Sequence, residues 1–191
     1  QEGPALVYCC DRAREEPEAA AGDSDGTGLE ASCGLGSLRV LSRLTGHERA
    51  VTSICLTFSE DLVITTSVDK TLRFWDAASG QMVRLFREDS LVSAVAQLPH
   101  RPDVVAAAHS NCLLRLLDHR TGEVLGQLEF ESEIRALRHD STGDFLFAGT
   151  ASGHIRVLQR SDDSTLEICH KVQCQISGGV TWLAFEPACS G

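Results

Sequence analysis

The sequence predicts an all-β fold assembled from like-sized, four-stranded antiparallel sheets. Two observations carry that expectation. Short runs rich in β-branched and aromatic residues alternate with turn clusters throughout residues 36–185, and that pattern marks strands and not helices. The same order of run and turn also returns at a fixed spacing: Asp76 and Asp118 lie 42 residues apart (118 − 76), and Arg115 and Arg156 lie 41 apart (156 − 115).

The first full unit begins at Gly46-His47. Residues 51–58 read as a strand, Ser59-Glu60-Asp61 as a turn, and residues 62–67 as a second strand. After the Val68-Asp69-Lys70 turn, residues 71–75 form a third strand, and residues 81–86 a fourth beyond Asp76-Ala77-Ala78-Ser79-Gly80. In the second unit Arg115-Leu116-Leu117-Asp118 stands where Arg73-Phe74-Trp75-Asp76 stood, residues 104–108 supply the second strand, and Asn111 takes the place of Asp69. The turns after the two Asp residues match, each offering a short polar side chain and a Gly for a left-handed backbone. In the third unit residues 134–137 and 145–148 precede the stretch Gly149 to Leu158. Units of about 40–45 residues with four strands each are blades of a β-propeller.

The repeat divides the chain into residues 45–87, 88–130 and 131–175 as three blades. Residues 1–10 read as one strand of a preceding blade, residues 36–44 as its closing strand, and residues 176–191 as the start of a following one. Three complete blades with partial blades at both ends leave two blade faces uncovered, which predicts that the sequence is part of a longer chain.

Composition excludes several functions. Lys and Arg total 17 against 27 Asp and Glu, a net charge of −10, and the Arg residues are scattered singly. That disfavours direct nucleic-acid binding and docking on an anionic membrane, which both need clustered cations. No apolar run is long enough to cross a bilayer as a helix. The eight cysteines show no C-x-x-C pair, and Cys169-His170…Cys174 lacks a fourth ligand, so neither a disulfide framework nor a metal site is expected, and no cofactor. Residues 11–35 form an acidic insertion, and residues 11–30 alone carry seven acids against Arg12 and Arg14; such a stretch cannot bury enough apolar surface to order itself. Within it Asp23-Ser24-Asp25-Gly26-Thr27 spells the nucleophile motif of haloacid-dehalogenase-type phosphatases and half of a calcium loop. No hydrophobic strand aims it, and the twelfth position of the would-be calcium loop is Gly34 instead of Glu.

Gly46-His47, the Ser67-Val68-Asp69-Lys70-Thr71 turn and Trp75-Asp76 resemble the WD-repeat family. The resemblance implies an incomplete WD-repeat propeller acting as a non-catalytic protein-interaction scaffold, nuclear or cytoplasmic, within a larger complex. It implies a structural network in which His47 bonds Asp69 while a hydroxyl of Thr65 or Ser67 reaches the Trp75 indole. The same residues in isolation suggest a Ser-His-Asp triad, but no pocket-forming element accompanies them. The second and third blades lack the Gly-His pair and the Trp, so their stability is expected to rest on apolar packing. Arg73, Arg115 and Arg156 recur at one blade position and are expected to face outward, covering apolar surface with their stems.

The resemblance also implies that partners meet the loop face near the central channel. Mapped onto this chain, Thr52, Ser93, Arg135 and Thr181 lie just inside the first strands, and Val68, Ser110 and Ala151 occupy the inner turns. Glu48, Glu88, Asp89, Glu131 and Glu133 lie in the loops above and make an acidic rim suited to a basic peptide. Two other functions stay open: a substrate-recognition adaptor of a ubiquitin ligase, and a phosphatase or metal site built on Asp23 and Asp25.

Overall fold

The computed structural model describes residues 5–10, 38–59, 61–98, 100–140, 142–161, 166–174 and 178–184, and for residues 5–10, 38–41 and 160 it describes the backbone. The acidic insertion, with Asp23 and Asp25, lies outside the described residues.

Fourteen strands and no helix make up the described chain. β1 (Ala5–Cys10) pairs with β2 (Leu38–Leu44) in a two-stranded antiparallel sheet. Three four-stranded antiparallel sheets follow, each a meander in chain order. The first contains β3 (Val51–Leu56), β4 (Leu62–Ser67), β5 (Thr71–Asp76) and β6 (Met82–Arg87). The second contains β7 (Val92–Leu98), β8 (Arg101–His109), β9 (Leu113–Asp118) and β10 (Val124–Glu129). The third contains β11 (Ile134–His139), β12 (Phe145–Thr150), β13 (His154–Arg160) and β14 (Leu166–Gln173). The leading strands β3, β7 and β11 touch one another between sheets, which makes them the inner strands of a radial array.

Sequence period and packing meet in the middle strands. Alternate residues of a strand point to opposite faces, and in β8 both faces are buried. Val104, Ala106 and Ala108 enter a core shared with Leu137, Leu146, Ala148 and Leu158 of the third sheet. Val105 and Ala107 enter another, with Ile64, Leu72 and Phe74 of the first sheet. A third cluster joins Leu44 of β2 to Val63 and Trp75. The small residues of β8 set how closely the sheets approach, because Ala106 and Ala107 are fully buried on opposite faces.

The turn between the second and third strands has one geometry in all three sheets. Lys70, Cys112 and Gly153 each sit in a left-handed backbone, at φ 63°, 66° and 81°, and each donates its N–H three residues back, to Ser67, His109 and Thr150. Only Gly153 meets that demand without a Cβ penalty, so Lys70 and Cys112 hold a strained conformation that the neighbouring ladders enforce.

Replacing Ala106 or Ala107 with Leu is expected to lower the unfolding free energy by about 1–3 kcal/mol, the usual consequence of overpacking. Denaturant titration checks this; a neutral result for either substitution means that the face it occupies is not closed by a neighbouring sheet.

Candidate protein-interaction face

Strand pairing aligns the three sheets residue by residue. Val51 faces Ser67, Val92 faces His109 and Ile134 faces Thr150, and each leading strand bulges at the next residue. Thr52, Ser93 and Arg135 are therefore the extra residues of three equivalent β-bulges, and a bulge re-aims a side chain out of the pleat. Thr52 Oγ1 donates to the Val92 carbonyl at 2.6 Å and Ser93 Oγ donates to the Ile134 carbonyl at 2.5 Å. These two hydroxyls join one sheet to the next. Arg135 reaches the Gly178 carbonyl at 3.4 Å and pairs with Glu133. Thr52, Arg135 and Thr181 line one cavity of about 200 Å³ with Arg138 and Trp182. Trp182 is 69% exposed beneath the Arg138 guanidinium, 4.9 Å from its ring centre.

Val68, Ser110 and Ala151 occupy the inner turns, where their N–H groups bond the carbonyls of Ala50, Leu91 and Glu133. Ser110 is exposed, and Val68 and Ala151 are half-buried.

The first sheet carries a closed polar chain. The Trp75 indole N–H donates to Thr65 Oγ1 at 2.7 Å, Thr65 Oγ1 lies 2.7 Å from His47 Nε2, and His47 Nδ1 lies 3.0 Å from Asp69 Oδ2. With Nδ1–H donating to Asp69 and Thr65 donating to Nε2, every member is satisfied. Asp69 also accepts from the Glu48 and Thr71 backbone N–H groups and the Thr71 hydroxyl. Thr65 makes the link to the indole. Ser67 instead bonds the Arg49 carbonyl and accepts from the Asp69 N–H, holding the loop ahead of β3. Burial pushes the Asp69 carboxyl upward, but the hydrogen bonds from Thr71, His47 and the Glu48 and Thr71 backbone outweigh it and hold the group well below the usual carboxylate range. Burial likewise lowers His47 from 6.5 against the opposing pull of Asp69. A neutral His beside an ionised Asp results. Thr65 is fully buried, so this arrangement offers no nucleophile to a substrate.

The second and third sheets depart from the expectation of apolar packing alone. Glu88 stands where His47 does, four residues before the bulge-flanking Val92, and His109 stands where Ser67 does. Arg115 bonds Glu88 Oε2 at 3.0 Å and takes both Asp89 oxygens at 3.1 Å. Burial raises Glu88, with Arg115 opposing, and burial together with Arg115 lowers His109 to about 4. In the third sheet Arg156 pairs with Glu131, His154 approaches the same carboxylate at 3.6 Å, and Ser152 links His154 to Ser132. Each sheet thus closes its upper end with a polar cluster of its own composition.

Two expectations are corrected by these contacts. Arg73, Arg115 and Arg156 do not face outward: Arg156 is 2% exposed, Arg73 is buried 3.5 Å from Asp69, and Arg115 is mostly covered. Each turns toward an acid: Arg73 toward Asp69 in a turn of its own sheet, Arg115 toward Glu88 and Asp89, and Arg156 toward Glu131, in the loops that lead into their sheets. For the same reason the rim is not a bare acidic surface, since Glu88, Asp89, Glu131 and Glu133 all carry Arg partners. The recurrence of Arg at one position beside loop acids was the available signal. Arg138 and Trp182 were also missed, because they are 44 residues apart (182 − 138) and meet only through the strand array.

Replacing Thr65 with Val strands both the Trp75 N–H and His47 Nε2 and is expected to cost more than Trp75→Phe, which removes one donor; each buried unpaired group costs about 1–3 kcal/mol. Equal losses by chemical denaturation would contradict the chain as drawn. His47 and Asp69 both hold protons less tightly folded than unfolded, so stability falls as pH drops. The decline starts below about 6.5 through His47 and His109 and steepens below 3.8 through Asp69. His47→Gln is expected to remove part of the decline below 6.5 and leave the His109 share; an unchanged profile would show that His47 contributes nothing to it.

The family model described as WD domain, G-beta repeat, matches residues 38–76. THO complex subunit 3 of Arabidopsis thaliana is 34% identical over 121 residues, covering 60% of this chain and 36% of that protein. An F-box/WD-40 repeat-containing protein of the same plant is 28% identical over 117 residues, covering 61% of this chain and 21% of its own length. The chain thus spans about a third or less of these relatives. The crystal structure of RRP9 WD40 repeats superposes with a TM-score of 0.61 at 14% identity, covering 71% of this chain and 42% of that one, a likeness of fold. Residues 38–76 thus match a WD repeat, and with its Gly-His to Trp-Asp hydrogen-bonded chain and its meandering four-stranded sheets the described chain has the fold of the WD-repeat β-propellers.

Proposed function

We propose that the chain is a non-catalytic scaffold that presents the turn-bearing face of its sheets to other proteins, in the nucleus or the cytoplasm. The observation that carries this reading is the recurrence of one bulge and one inner turn in three successive sheets. The recurrence supports a common presentation of Val68, Ser110 and Ala151 in the inner turns, with Arg135 at the bulge of a leading strand. Recognition residues held by a stiff ladder lose little entropy on binding. The same recurrence supports the blade boundaries proposed at residues 45–87, 88–130 and 131–175. The complex-subunit name of one relative supports an assembly role. The reading leaves Thr52 and Ser93 with an architectural share of the face, since their hydroxyls serve the joints between sheets.

Affinity capture from cells with the full-length protein, comparing the parent with Ser110→Arg, tests it. Capture of a defined set of proteins is expected, lost in the variant while the melting temperature stays unchanged; capture indifferent to Ser110→Arg and to Val68→Arg would remove the assignment of this face. A basic peptide as the ligand draws support from the solvent-facing parts of Asp89 and Glu131, whose side chains are 67% and 42% exposed. Such binding would weaken with salt and with Glu131→Gln plus Glu133→Gln. The F-box/WD-40 relative favours a second reading, an adaptor that presents substrates to a ubiquitin ligase. Recovery of ligase components among the captured proteins distinguishes it.

A further inference from the structure

The polar cluster of the second sheet contains a group that the scaffold reading leaves unused. His109 is fully buried, and its Nε2 has no hydrogen-bond partner among the described residues. That nitrogen is aimed at Glu88 Oε2, 3.8 Å away, too far for a hydrogen bond. Its other ring nitrogen, Nδ1, lies 3.1 Å from Ser90 Oγ. When Nδ1–H donates to Ser90, Nε2 presents a bare lone pair to a carboxylate, and a cation held between the two relieves their repulsion. One ligand atom each from Glu88, Asp89 and His109 falls within a sphere where all lie within 4.8 Å of one another.

We propose that Glu88, Asp89 and His109 form a zinc-binding site at the upper end of the second sheet, with Arg115 as its internal competitor. Imidazole and carboxylate donors suit Zn²⁺, and three protein ligands with a water in the fourth position is a familiar coordination for it. Ligands at about 2.0–2.2 Å in a tetrahedron lie roughly 3.3–3.5 Å apart, so the His109–Glu88 gap needs to close by about half an ångström or less. Ser90 supplies the partner that fixes the ring and its tautomer, as outer-shell groups do for metal-bound histidines.

Charge decides between the ion and the guanidinium. Glu88 and Asp89 together carry two negative charges, and Arg115 balances one of them. Lys70 Nζ approaches the same loop but bonds the Asp89 carbonyl. A dication balances both carboxylates and releases Arg115, which sits at the rim with its side chain 16% exposed. The entry path runs past Asp89, whose side chain is 67% exposed. Zinc binding would therefore free the Arg115 guanidinium from the Glu88-Asp89 loop and couple metal to the charge of the rim.

The test is titration of the chelator-treated full-length protein with Co²⁺, read by visible absorption, followed by displacement with Zn²⁺ and calorimetry. One ion per chain is expected, with tetrahedral cobalt bands. Glu88→Gln, Asp89→Asn and His109→Gln should each weaken binding about tenfold or more. Arg115→Met, which keeps the stem and removes the charge, should tighten it by about tenfold. Because His109 is buried, the isosteric carboxylate variants, whose circular dichroism should match the parent, carry the result if His109→Gln misfolds. Failure of both the parent and Arg115→Met to bind overturns the proposal. So does binding that survives Glu88→Gln and Asp89→Asn but is lost in Cys169→Ser with Cys174→Ser, since the ion then sits on the thiols. An affinity unchanged by Arg115→Met overturns the competition.

Discussion

Burial of the middle strands on both faces is the constraint on which the rest of this molecule depends. An ordinary antiparallel sheet hides one face and wets the other. Here Val104, Ala106 and Ala108 pack toward one neighbouring sheet while Val105 and Ala107 pack toward the other. No single sheet can satisfy such a pattern, so each is stable only as one member of a stack. The joints carry little besides apolar contact and a few directed bonds, among them Thr52 to the Val92 carbonyl and Ser93 to the Ile134 carbonyl.

Stacking alone does not settle register, and the polar clusters at the upper ends do. In the first sheet a neutral histidine, a hydroxyl, an indole and an aspartate form one satisfied chain. In the second, an arginine and two acids take over, and in the third an arginine shares one acid with a histidine. The chemistry changes, while the left-handed turn residue and the bulge do not. Selection on such a scaffold can thus alter the cluster without moving the strands. This frees the second sheet to hold a group, His109, whose bonding capacity the fold leaves half used.

Much of the architecture was legible because strand period and turn chemistry are local. The runs at residues 62–67, 71–75 and 145–148 fall inside β4, β5 and β12, and the Asp69 network follows residues that the sequence names directly. The leading strand of the first sheet ends at Leu56, two residues short of the apolar run, because Phe58 gives its N–H to the Gln97 side chain of the next sheet. The clusters of the second and third sheets were not legible, since they are built from pairs such as Glu88 with Arg115 and Glu131 with Arg156, brought together only when a connecting loop folds over the following sheet. A charged residue in a strand reads as outward-facing until its partner is known. For the same reason an acidic count in the loops overstated the field at the rim.

Native-state hydrogen exchange in the full-length protein carrying Ile64→Ala tests the interdependence of the sheets most directly. Ile64 is fully buried in the core shared with Val92, Val95, Val105 and Ala107, and truncating such a side chain costs about 2–5 kcal/mol. Mutual support predicts that amides of Val92–Leu98 and Arg101–His109 lose protection together with those of Leu62–Ser67. Loss confined to the first sheet, with the second unchanged, would contradict it.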